Sequence, residues 1–131
     1  MYKETVKKQG VARIIAAFWY SINGLRAAFN SEAAFRQELA LFVFFLPILF
    51  YLHVSPVFKA LLLFANSLVL IVELLNSAVE AIVDLASPEF HDLAKQAKDI
   101  GSAAVMLSLF LAFGLWGYAL LVEYGVFFLP R

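Results

Sequence analysis

Cysteine is absent from this 131-residue chain, which rules out disulfides, thiol catalysis and zinc–thiolate sites. Charge is scarce as well: Asp, Glu, Lys and Arg make up 15% of the sequence and the formal net charge is zero. A nucleic-acid partner therefore has no electrostatic support. There is no G-x-x-x-x-G-K-[ST] loop, no H-R-D or D-F-G set and no G-x-S-x-G elbow, so the standard soluble nucleotide-binding and hydrolase folds are excluded. No removable signal peptide, internal repeat or low-complexity tract stands out.

Apolar residues fill that gap. They make up 63% of the chain, with a mean hydropathy of +0.85. A chain long enough for one domain cannot bury that much apolar surface in a water-soluble core. The composition predicts an all-α integral membrane protein. A single membrane domain, 1–131, is expected to hold a surface helix over 10–30, spans over 32–52 and 56–85, and a helix over 88–122 containing the third span.

In the first of these stretches Val11, Ile14, Ile15, Phe18, Ile22, Leu25 and Phe29 share one helical face, while Arg13, Tyr20 and Asn23 lie elsewhere. That pattern suits a helix lying on the membrane surface. Asn30 or Ser31 is expected to cap the next helix, with Glu32 in its first turn. Pro47 interrupts the first span and Ser55-Pro56 opens the second. Ser87-Pro88 is read as the start of the last helix, in which Gly101, Gly114 and Gly117 permit close helix contact.

Chemistry concentrates between Glu73 and Ser102. At about 100° per residue, Glu73, Asn76, Ser77, Glu80 and Asp84 fall on one narrow helical face. A carboxylate entering hydrocarbon unpaired is costly, so Glu73 is a candidate functional acid rather than a spectator. Lys95, Lys98, Asp99 and Ser102 follow across a short connector. Glu80 with Glu32 could share a hard cation such as Mg²⁺, and Lys98 suits a phosphate. Each has a plainer alternative: a solvated helix end for Glu80, an interfacial anchor for Lys98 and Asp99, an interhelical hydrogen bond for Asn76. Basic residues place the orientation. Lys3, Lys7, Lys8, Arg13, Arg26, Arg36, Lys95 and Lys98 fall on one side, and only Lys59 and Arg131 on the other. The N-terminus and the second connector are therefore expected in the cytoplasm.

The stretches GLRAAFNSEAAFRQE (Gly24–Glu38), VELLNSAVEAIVD (Val72–Asp84) and AKDIGSAAV (Ala97–Val105) closely resemble the prokaryotic integral-membrane diacylglycerol kinases. The related undecaprenol kinases share the E-x-x-N-x-x-x-E and A-K-D cores. The resemblance implies a homotrimer in the bacterial inner membrane, with active sites shared between subunits and facing the cytoplasm. It implies transfer of the γ-phosphoryl of MgATP to the primary hydroxyl of diacylglycerol. By motif, Glu73 would be the general base and Asn76 its support. Glu32 and Glu80 would hold the metal–phosphate, Lys98 and Asp99 would contact the nucleotide, and Arg13, Tyr20 and Ser102 would line the site. Against the family pattern, lysines are missing at Ala16 and Asn23. The competing classes are an undecaprenol kinase, a small oligomeric ion or proton conductor lined by the Glu73–Glu80 face, and a purely structural assembly module.

Overall fold

A computed structural model describes residues 9–125, and among these all regular structure is helical. Lys3, Lys7, Lys8 and Arg131, four of the charges used for orientation, lie outside the described residues. The chain divides into two compact units, one ending at Ala33 and one beginning at Ala34.

The N-terminal unit is built on α1 (Val11–Ser31). Gly10 precedes it at φ 61°, a left-handed conformation that glycine adopts without a Cβ penalty. Val11, Ile14 and Phe18 of its apolar face are exposed, as are Arg13 and Tyr20. Glu32 is not in the first turn of the next helix. It ends α1 in an extended conformation, its N–H bonded to Ala28 O and its Oε1 accepting from Ser31 Oγ at 3.1 Å.

The second unit holds α2 (Ala33–Tyr51, of which Ala33 belongs to the first unit), α3 (Pro56–Ala86) and α4 (Asp92–Glu123). All three are long and apolar enough to cross a membrane, which makes this a membrane protein with three spans. At about 1.5 Å per residue, α3 and α4 each exceed the ~30 Å of hydrocarbon, so their polar ends project beyond it. α2 runs on through Pro47. Ser55 caps α3 by accepting from Phe58 N at 3.2 Å, with Pro56 in the first turn where its missing N–H costs nothing.

The last helix starts at Asp92, not at Pro88. His91 takes the cap position, its Nδ1 accepting from Leu93 N at 3.1 Å, and residues 88–91 form an irregular connector. A side-chain acceptor satisfies an otherwise orphaned helix N–H, and here that outweighs the preset φ of proline.

α3 and α4 pack antiparallel along their length. In lipid there is no hydrophobic drive between helices, so close approach of small residues carries the packing. Ala65, Ala112 and Ala119 are the buried small residues of this seam. Gly101 is a close approach too, whereas a Cβ at Gly114 or Gly117 would meet nothing within 4 Å in this chain. At one end α2 joins through Leu49, Leu52 and Phe45, whose ring lies 4.7 Å from that of Trp116. Trp116 Nε1 donates to Asn66 Oδ1 at 2.8 Å, fixing the register of α3 against α4.

Candidate active site

Glu73 lies in the eighteenth position of α3 and is 4% exposed. One turn further Asn76 Nδ2 donates to Glu80 Oε1 at 3.2 Å, an i,i+4 bond along the polar face. Asn76 Oδ1 and Ser77 Oγ are buried beside it and accept or donate nothing. Buried polar atoms normally find partners, so these are open valences waiting for another group. Glu38 Oε2, on α2, is the third such atom among the described residues. Glu38 also lines a small apolar cavity of about 50 Å³ with Phe45, Asn66, Leu109 and Trp116.

Across the connector, Lys98 pairs with Asp84 of α3, and this hydrogen bond raises the Lys98 ammonium above its ordinary value. Lys98 stands outside the apolar run 100–122 and also feels the charge of Glu80. Lys95 pairs with Asp99 one turn along α4 at 2.5 Å. These four charges rim an open cleft of about 420 Å³ at the α3–α4 turn, lined also by Ser87, Phe90 and His91.

The structure thus pairs Asn76 with Glu80 on α3 and sets Lys98 of α4 against Asp84 near the connector, with Asp99 held by Lys95; Glu73 lies deeper, about midway along α3. Ser102 is on α4 and exposed. Arg13, Tyr20 and Glu32 belong to the N-terminal unit, the first two exposed on α1. Sequence reasoning passed over Glu38, the roles of Asp84 and Lys95 as counter-ions, and the cleft-lining Ser87 and His91. Asp84 left a signal as the last member of the polar face, and Lys95 as a member of the charged cluster that follows the connector.

The chemistry of the donors fits a hard cation sparingly. No group of three or more His, Cys, Asp or Glu comes together among the described residues. Mg²⁺ is usually held by one or two carboxylates plus substrate phosphates, and Glu80 with an amide on one oxygen suits that use.

Comparison with known proteins bears on what this site does. A sequence model described as prokaryotic diacylglycerol kinase matches residues 19–120. The diacylglycerol kinase of Escherichia coli (strain K12) is 45% identical over 116 residues, covering 88% of this chain and 95% of the relative. That of Pseudomonas aeruginosa is 49% identical over 112 residues, covering 86% and 91%. That of Helicobacter pylori (strain J99) is 37% identical over 123 residues, covering 94% and 96%.

Proposed function

The chain belongs to the prokaryotic diacylglycerol kinase family, and on that premise we propose that it transfers the γ-phosphoryl of MgATP to diacylglycerol at the cytoplasmic face of the inner membrane. It is an enzyme, a membrane-embedded lipid kinase that takes its phosphoryl group from a nucleotide. The observation that carries the finer reading is Glu73: a buried carboxylate in an apolar helix, on one face with Asn76 and Glu80.

In the proposed step the primary hydroxyl of the lipid forms its bond to the γ-phosphorus while the bond from phosphorus to the β–γ bridging oxygen breaks. The hydroxyl proton passes to the Glu73 carboxylate, and ADP leaves with the electron pair. A base so placed contributes roughly 10²–10⁴ in rate. Asn76 supports the acidic face through its bond to Glu80. Glu80 would be one carboxylate holding Mg²⁺, which supplies charge neutralisation at the phosphates when bound. Lys98 and Asp99 take the nucleotide, exchanging their pairs with Asp84 and Lys95 for its phosphates and ribose. Ser102 lines the site, and a homotrimer would let neighbouring subunits complete one another's sites.

The conductor is disfavoured by the two polar residues deeper in the span. Asn66 is held by Trp116, and Ser67 Oγ donates back to Leu63 O at 2.8 Å. Neither is left to line a path.

The test is transfer of label from [γ-³²P]ATP in mixed micelles, with diacylglycerol and undecaprenol offered side by side, with and without Mg²⁺. Mg²⁺-dependent labelled phosphatidic acid is expected. Label on undecaprenol alone would move the chain to the sister activity, and label on neither lipid would refute the kinase reading.

A further inference from the structure

The Asn76 carboxamide occupies space that a side chain on α4 would fill. A Cβ at Gly101 would overlap Asn76 Oδ1 and stand 3.3 Å from Asn76 Cγ. The same probe at Gly114 or Gly117 of that helix meets nothing within 4 Å, so the requirement is local to one turn. Asn76 Oδ1 is buried and accepts no hydrogen bond, while Nδ2 is committed to Glu80 Oε1. An amide is usually oriented by donors to its oxygen. Here that oxygen has none, and what bounds it is the bare backbone of α4.

Resting on the kinase reading above, we propose that Gly101 is a positioning residue for the reaction. Its missing side chain seats the Asn76 carboxamide against α4 and keeps Nδ2 on the Glu80 carboxylate. Any side chain at 101 turns the amide out of that seat and frees Glu80. The effect travels through Asn76, so Gly101 itself touches neither lipid nor nucleotide in this account.

The test is a double-mutant cycle in the full-length protein: Gly101→Ala, Asn76→Ala and the pair, read by thermal midpoint and by steady-state kinetics. In the wild-type background Gly101→Ala is expected to lower the midpoint. It should also reduce kcat roughly 10- to 100-fold, since a displacement of about 1 Å in a catalytic constellation costs on that order. KM for diacylglycerol should stay unchanged, and the Mg²⁺ concentration for half-maximal rate should rise. In the Asn76→Ala background the clashing amide is gone and alanine is the better helix former, so the same change should raise the midpoint. A shift of the same sign and size in both backgrounds would overturn the contact. An unchanged kcat and Mg²⁺ dependence in Gly101→Ala would overturn the positioning role. The midpoint cycle needs no turnover, so failure of the kinase reading would be seen separately, as absence of labelled lipid from the wild-type protein.

Discussion

The far end of the α3–α4 hairpin and its middle treat polar groups differently. At the end that carries His53 and Glu123, polar groups are closed into pairs. His53 N–H donates to Glu123 Oε2 at 2.8 Å, and His53 Nδ1 meets Oε1 of the same carboxylate at 2.7 Å. Lys59 Nζ donates to Phe50 O at 3.1 Å, satisfying a carbonyl at the end of α2, and Ser55 caps α3. From the middle of the hairpin toward the connector the arrangement is mixed: Lys98–Asp84, Lys95–Asp99 and Asn76–Glu80 are paired, yet buried polar atoms without partners remain. Those atoms among the described residues are Asn76 Oδ1 and Ser77 Oγ on α3 and Glu38 Oε2 on α2, the last beside the mid-span cavity, and the cleft at the connector is rimmed by charges. A polar group that only builds the fold is satisfied within the fold. One that awaits substrate is held in place with valence to spare.

That contrast can be broken by mutation. The largest effect is expected at Glu73: Glu73→Gln should lower kcat by roughly 10²–10⁴ while the helices still form, as read by circular dichroism. Lys98→Met should follow, with a loss of about 10² in kcat/KM for ATP if its charge faces the transferred phosphoryl group. Activity within a few-fold of wild type would make Lys98 an anchor paired to Asp84.

In the closed region the cost should appear in stability. Trp116→Phe strands the Asn66 acceptor, and interhelical hydrogen bonds in membranes are worth about 0.6–2 kcal/mol, so the thermal midpoint should drop measurably. The smallest effect concerns Glu123, just beyond the apolar run 100–122. Hydrogen bonds from the His53 side chain and backbone hold its carboxyl below the usual carboxylate range. Because the folded value is the lower one, this stabilisation is complete above the unfolded value of about 4 and is lost as pH falls through the folded value. The thermal midpoint of wild type should therefore fall on acidification below about pH 4 by slightly more than that of Glu123→Gln.

Much of this was legible in the sequence because helical periodicity converts spacing directly into faces. Glu73, Asn76 and Glu80 could be placed on one face from their offsets alone, and the apolar runs marked three spans. What escaped were relations between residues far apart in the chain. Nothing local tells that His53 meets Glu123, that Trp116 meets Asn66, or that Lys98 folds back onto Asp84. Those pairings depend on the antiparallel register of α3 and α4, which buried alanines set through close packing. The start of α4 was misplaced for a related reason. Ser87-Pro88 is a sound helix opening, but His91 supplies the cap that the chain uses. Gly101 stood among three glycines on one helix, and only the packing shows which of them is needed.

Chemistry is assigned to the polar face of α3, and two carboxylates allow one matched comparison. Phosphoryl transfer per folded molecule would be measured for Glu73→Gln and Glu123→Gln, the same oxygen-to-amide exchange at the middle and at the far end of the hairpin. The account predicts that Glu73→Gln loses turnover and that Glu123→Gln retains it. Near-normal turnover in folded Glu73→Gln would contradict it.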